Sequence, residues 1–393
     1  MLADDIDDDR GHPSVDFASP SITEDDVAAV ERVLRSGWLT TGAECHAFEE
    51  ELAEATGAPF AVAVSSCTAA LEISLAALEL AAGSIVVVPT WTFASTGLSA
   101  HRVSCQPLLV DVEPGTLNMA PAALERALAS HDVAAVIPVH IGGVPVDPAI
   151  HDLCHAAGVP VIEDAAHALG ATDFRGPLNG QGSLAACLSF YVTKNLASGE
   201  GGALLTWDED IANFARSYRL HGLDRDAWAR YAPGAPTSYE ILHPGIKANF
   251  PDLLAALARS QLQRFPAMQR RRRELVDRYR EGAAEIGVRP LPGEQAEGSA
   301  DHLFMIRLPS GVDRGAVQVA LEAAGIRTSV HFRPLHSYQW FRDNALMPDG
   351  GLPVADRMTS RVLSLPLHPN LTFDDVDRVC AELADALSHG RNG

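Results

Sequence analysis

The sequence predicts an α/β protein whose mainly parallel sheet is covered by helices on both faces. Three observations carry that expectation. Short apolar strands alternate with helical patterns from about residue 60 to residue 218, the pattern of parallel strands joined by crossover helices. Past residue 265 the alternation gives way to a long helical stretch and a few scattered strands, which predicts a smaller C-terminal α+β domain. At 393 residues and 47% hydrophobic content the chain is long enough for two domains and a large core.

In order, residues 1–15 are expected to form a mobile acidic tail. Thr23 through Asp26 forms a capping box, Val27, Val30, Val33 and Leu34 mark one helix face, and Gly37 ends that helix. Residues 44–56 read as a second helix closed by Gly57. Then follow a strand at Phe60–Val64, a helix at Thr68–Leu80, and a strand at Ile85–Val88 stopped by Pro89. A strand at Leu108–Val112 leads to a helix at Pro121–Ala129 with proline at its start. A strand at Ala134–Val139, a helix at Pro148–Ala157 and a strand at Pro160–Ile162 come next. Leu188–Tyr191 and Ala203–Thr206 read as strands, and Asp208 to Tyr218 as a helix. A long helix is expected from Pro251 through Arg280, interrupted near Pro266. His302–Leu308 (strand), Arg314–Ala324 (helix), Thr328–Phe332 (strand) and Phe373–Ser388 (helix) complete the chain. The expected division is a large domain over 16–264 and a small one over 265–393. Residues 290–299 are the most linker-like stretch, and Arg270–Arg273 is expected to be a solvated helix face beside Glu274 and Asp277. There is no internal repeat.

A net charge of −21 argues against nucleic acid as a partner, but it leaves room for a small anion in a local pocket. Six scattered cysteines without a Cys-x-x-Cys pair read as reduced thiols rather than a disulfide framework or zinc ribbon. The acidic start lacks the order of a signal peptide, and no apolar run reaches membrane-span length. A cytoplasmic protein with no membrane partner is expected. His151 and His155 have metal-compatible spacing, but no third ligand is evident, so a surface pair and no metal are expected.

Of 30 basic residues only two are lysines, Lys194 and Lys247. Arginine has taken the generic positive positions, so a remaining lysine is a candidate for what arginine cannot do. Its amine can lose a proton and attack a carbonyl. Both could also be leftover structural lysines. Lys194 comes just after the strand at Leu188–Tyr191, and Asp164 just after the strand ending at Ile162. Ligands of open parallel sheets bind beyond the carboxyl ends of strands, although an Asp there is also a common helix cap. A Schiff-base lysine with a carboxylate for a pyridinium nitrogen is the minimal apparatus for pyridoxal phosphate (PLP). Ser65-Ser66-Cys67-Thr68 opens a helix, where free N–H groups favour phosphate; an ordinary cap is the other reading. Pro89-Thr90-Trp91-Thr92-Phe93 puts aromatics near the same rim, for stacking or for core packing. Dinucleotide, Walker and nucleophile-elbow glycine motifs are missing, which disfavours a nicotinamide oxidoreductase.

From about residue 20 to 385 the sequence resembles the DegT/StrS family of PLP-dependent sugar aminotransferases. The motifs occur in the family's order: Gly37-Trp38-Leu39-Thr40-Thr41-Gly42, Ser66-Cys67-Thr68-Ala69-Ala70-Leu71, Pro89 to Phe93, Glu163-Asp164-Ala165-Ala166-His167-Ala168, Ser189 to Asn195, Gly199-Glu200-Gly201-Gly202, Gly245-Ile246-Lys247-Ala248-Asn249 and His331-Phe332-Arg333-Pro334-Leu335-His336. The resemblance implies the aspartate aminotransferase fold, with a seven-stranded type of sheet. It implies Lys194 as the Schiff-base lysine and proton shuttle, Asp164 on the pyridine nitrogen, His167 near the ring hydroxyl and Phe93 stacked on the ring. Ser189, Thr68 and the Cys67 backbone would cradle the phosphate. Asn249 would reach the neighbouring subunit's cofactor, which implies a homodimer with shared sites. Thr40, His331 and Phe332 would lie near the sugar. Cys67 stands where many members have Gly, and Ala248 and Pro251 also depart from the pattern, on the nucleotide-sugar side.

The implied reaction moves an amino group from L-glutamate to a nucleotide-linked keto sugar, a 4-keto sugar. Two alternatives stand beside it, an aminotransferase for a ketocyclitol and a non-catalytic PLP-binding regulator. The intact Lys194–Asp164 pair speaks against the second.

Overall fold

The computed structural model describes residues 14–224, 238–293 and 297–389. Helices α1 (Glu24–Ser36) and α2 (Ala43–Thr56) precede the sheet. The capping box forms, with Thr23 N–H donating to Asp26 Oδ2 at 2.8 Å, and Gly37 and Gly57 end the two helices in the left-handed conformation. The sheet is built from β1 (Phe60–Val64), β2 (Ile85–Pro89), β3 (Gln106–Val110), β4 (Val133–Val136), β5 (Ile162–Asp164), then, after a short hairpin of β6 (Thr172–Asp173) and β7 (Gly176–Pro177), β8 (Ala185–Ser189) and β9 (Gly202–Thr206). Hydrogen bonding orders these as β3-β2-β4 and β5-β8-β9-β1. Parallel bridges Val136–Val161 and Val139–Asp164 join the two groups. The result is one seven-stranded sheet in which β9 alone runs antiparallel to its neighbours β8 and β1.

Helices α3 (Cys67–Ala76), α4 (Ala94–Arg102), α5 (Pro121–Ser130), α6 (Ala149–Ala157) and α7 (Glu209–Tyr218) cover the sheet. Burial on both faces explains why the strands are apolar throughout; every residue of β9 is buried. Each leucine so enclosed contributes about 1.5–3 kcal/mol. The carboxyl ends of β1, β2, β5 and β8 and the start of β9 share one rim, where the candidate residues cluster.

Helix α8 (Asp252–Glu285) links two cores. Ala255, Ala258 and Leu262 pack into the large-domain core, whereas Leu275, Val276, Tyr279 and Ala283 pack into the small one. The small core is completed by an antiparallel sheet, β10 (Arg289–Leu291), β11 (Phe304–Arg307) and β12 (Val362–Leu365), with α9 (Arg314–Ala323) and α12 (Phe373–His389). Between them come α10 (Gln339–Asn344) and α11 (Pro353–Met358). No helix among the described residues is long and apolar enough to cross a membrane.

Several expectations change. Residues 1–13 of the expected tail lie outside the described residues, and Val15 is buried, paired with Ile326. Helix α8 runs through Pro266 without a break and crosses residue 264. Part of the linker-like stretch is strand β10. Arg272 is buried, because its guanidinium donates to the Leu367 carbonyl at 3.1 Å. Thr328–Phe332 forms only the bridge Ser329–Ser364, since the His331 carbonyl accepts from the Trp91 indole at 3.0 Å rather than from a ladder partner. His151 is buried against Glu163 at 3.5 Å, not paired with His155 at the surface.

Candidate active site

A cavity of about 580 Å³ opens at the strand-end rim. One wall is the start of α3. Ser66 caps it, its Oγ accepting from Ala69 N–H at 3.1 Å, and the first amides of a helix have no partner within it. Cys67 and Thr68 sit there and line the cavity, with Ser189 at the end of β8. Gly202 makes the approach possible: a Cβ on it would lie 2.4 Å from Ser66 C and 2.5 Å from Cys67 N. Free amides, a helix dipole and hydroxyls together suit a phosphate.

Strand alternation separates the two adjacent carboxylates. Glu163 turns away from the cavity into a buried group, with His140 at 3.2 Å, Arg175 at 3.0 Å and Ser183 at 2.6 Å. Burial alone would raise its carboxyl, but His140, Arg175 and His151 override it and bring it down to about 2. Asp164 faces the cavity. Its Oδ2 accepts from Thr96 Oγ at 2.7 Å, and Thr96 in turn accepts from Thr92 at 2.7 Å. Its Oδ1 accepts from Ala166 N–H at 3.2 Å, with the Cys67 thiol 3.7 Å away.

Lys194 lies in the turn after β8, held by its N–H on the Tyr191 carbonyl at 2.8 Å. Its side chain lines the same cavity as Asp164. Burial pushes the amine down to about 8, with the neighbouring Cys67 and Asp164 acting the other way. His167 Nδ1 accepts from Gly142 N–H at 3.2 Å, and its ring stacks 5.7 Å from Phe332. Burial, then the nearby Lys194, holds His167 well below its ordinary value and takes His331 down to about 4. His331 also contacts Ser364 Oγ at 3.0 Å and stacks on Phe17. Phe93 stays 61% exposed at the mouth, 5.9 Å from Phe332, an unusual place for a ring that packs only on protein.

The structure thus brings together Cys67, Thr68, Phe93, Asp164, His167, Ser189, Lys194, His331 and Phe332. It does not bring Thr40 or Asn249 to this cavity. Thr40 is exposed, and its carbonyl accepts from Asp252 N–H. Asn249 is half-buried, bridges to Val64, and donates to Thr41 Oγ at 2.8 Å. Lys247, the second lysine, is exposed and pairs its backbone with Leu220. Sequence reasoning missed Thr96 and His302. Thr96 lies three residues past the aromatic motif, in a helix whose small polar residues gave no periodicity. His302 was visible only as a strand start.

The donor set fits PLP: an anion cradle at one wall, an amine and a carboxylate within, and an exposed ring at the mouth. Fold and cavity define the class, a PLP-dependent aminotransferase, and similarity to known proteins supports it. The sequence model of the DegT/DnrJ/EryC1/StrS aminotransferase family matches residues 20–384, and the chain belongs to that family. Spr1654 of Streptococcus pneumoniae, assigned as a sugar aminotransferase and solved in its PMP form, is 29% identical over 95% of this chain and 99% of its own, with a TM-score of 0.88. DesV of S. venezuelae, solved with a ketimine intermediate, is 29% identical over 95% of this chain and 98% of its own, with a TM-score of 0.85. DesI, solved with its TDP-sugar product, is 28% identical over 97% of this chain and 96% of its own, with a TM-score of 0.83.

Proposed function

We propose that this chain moves an amino group from L-glutamate to a nucleotide-linked keto sugar, at carbon 4, as a homodimer. The observation that carries the reading is the desolvated Lys194 amine facing the same cavity as Asp164 and the α3 anion cradle. The TDP-sugar product bound by DesI supports the substrate class.

In this reading Cys67 N–H, Thr68 and Ser189 hold the cofactor phosphate. Phe93 covers the ring face, and His167, whose proton sits on Nε2, donates to the ring hydroxyl. Asp164, oriented by Thr96, pairs with the ring nitrogen. Bound there, the cofactor supplies an electron sink for a carbanion. Lys194 supplies the base. Burial lowers its amine to about 8 in the cofactor-free pocket, so about a tenth is unprotonated at pH 7 and the conjugate acid remains a competent donor. It takes the proton from the α-carbon of the amino donor and returns one to the carbon that gains nitrogen. His331 and Phe332 face the sugar, whereas Thr40 and Asn249 serve the site of the partner subunit, Thr40 near its sugar and Asn249 at its cofactor phosphate.

The test uses the PLP-loaded protein. Its visible band is expected to bleach on adding L-glutamate, and Lys194→Ala is expected to lose both the band and turnover. Normal turnover by that variant would remove Lys194 from the chemistry. A band indifferent to L-glutamate would reject glutamate as the donor.

A further inference from the structure

The residue after Lys194 is committed through every atom of its side-chain amide. Asn195 Nδ2 donates to the Ala300 carbonyl at 2.7 Å and to Gln269 Oε1 at 3.2 Å. A backbone carbonyl only accepts, so the amide cannot be flipped. Asn195 Oδ1 therefore faces His302 Nδ1, 2.9 Å away. An amide oxygen also only accepts, so Nδ1 of His302 must carry the proton. Burial, followed by His167 and Lys194, holds this imidazole well below its ordinary value and hence neutral. Its Nε2 is left as a bare acceptor.

His302 lines the cavity, and its ring lies 4.5 Å from that of His167. The two rings hold opposite tautomers. Gly142 N–H donates to Nδ1 of His167, which puts the His167 proton on Nε2. Gly142 also fixes His302, accepting from its backbone N–H at 3.0 Å. The wall beside Lys194 thus presents one imidazole donor and one imidazole acceptor. The donor suits an oxyanion or phenolic oxygen. The acceptor requires a donor on the bound molecule, and hydroxyls are what a sugar offers.

We propose that His302 Nε2 accepts a hydrogen bond from the hydroxyl next to the reacting carbon of the keto substrate, which makes His302 a specificity-determining residue and Asn195 the residue that positions it. The proposal rests on the sugar-aminotransferase reading. A site built to bind a hydroxyl discriminates strongly against an analogue that lacks it, because its own buried partner is left unpaired.

The experiment compares kcat/KM for two probes, TDP-4-keto-6-deoxyglucose and its 3-deoxy analogue, using PLP-loaded protein. The wild type is expected to prefer the hydroxylated ketone by roughly ten- to a hundredfold. His302→Phe, which keeps a ring against His167, is expected to bring that ratio to about one. His302→Gln, which retains an acceptor oxygen, is expected to recover part of it and serves if the Phe variant does not fold. Nitrogen-15 NMR of histidine-labelled protein gives a second readout without substrate. It should show His302 protonated at Nδ1, and that signature should be lost in Asn195→Ala. An unchanged ratio in His302→Phe, or a His302 protonated at Nε2, overturns the proposal. A wild type that accepts neither ketone overturns the sugar reading itself, and this inference with it.

Discussion

Lys194 carries a stability cost in the cofactor-free chain that can be read as a function of pH. Its amine titrates near 8 in the folded protein, against an ordinary 10.5. Between those values the unfolded chain binds the extra proton, so stability rises with pH. The penalty is fully present below about 8 and gone above 10.5. At about 1.4 kcal/mol per pH unit it amounts to ~3 kcal/mol. Cofactor-free Lys194→Met is therefore expected to be more stable than the cofactor-free wild type at pH 7, with the gap closing towards pH 10.5. Urea denaturation of both proteins at the two pH values measures the gap, and a gap independent of pH would show that the amine is not desolvated. Much of the site at this scale was legible in the sequence. Scarcity marked Lys194, and its position after a strand put it on the rim with Asp164. Thr96 and His302 were not legible, because their roles come from a hydrogen bond across 68 residues and a ring contact across 135, and no local pattern encodes either.

At the scale of elements, the anion cradle depends on how closely β9 approaches α3. A methyl group on Gly202 would meet three backbone atoms, Ser66 C at 2.4 Å, Cys67 N at 2.5 Å and the Leu188 carbonyl at 2.7 Å. None is the end of a flexible side chain, so α3 or β9 must shift. Gly202→Ala is expected to weaken PLP binding at least tenfold and to cost about 1–3 kcal/mol of stability. Titration with PLP and thermal unfolding would show it; unaltered PLP affinity would mean that the cradle does not hold the phosphate. Most strands could be located from their apolar runs, within a few residues. Helix α4 could not, because Ala-Ser-Thr-Gly-Leu-Ser has no amphipathic stripe to read. The expected strand at 328–332 failed for the opposite reason. Apart from the bridge at Ser329, its aromatic residues His331 and Phe332 line the cavity instead of pairing.

The whole molecule leaves two predicted site residues, Thr40 and Asn249, outside its own cavity, which is the arrangement expected if a second copy receives them. Hybrid dimers test this directly. Lys194→Ala and Asn249→Ala chains, each impaired alone, are expected to regain activity when co-assembled, because one of the two sites then holds both native residues. Were Asn249 to serve its own chain, no hybrid site would be intact and mixing would restore nothing. The sequence carried this arrangement only through the resemblance of its Gly245–Asn249 motif. Nothing in composition or periodicity reveals what a side chain meets on another subunit.

The single reversed strand also sets a timetable for synthesis. Strand β1 is the first strand to leave the ribosome, yet its ladder partner is β9, and its one further bridge, from Val64, goes to Asn249, later still in the chain. Some 140 residues must be translated in between, roughly 7–30 s at typical elongation rates. Throughout that interval Phe60–Val64, an apolar stretch that packs on α2, has no strand beside it. The cavity draws its walls from Phe17 to Leu367, so a nascent chain can hold no cofactor until it is nearly complete. A ribosome that stalls between β1 and β9 would leave an unpaired strand edge exposed, and the interval between them is where this protein most needs chaperone cover.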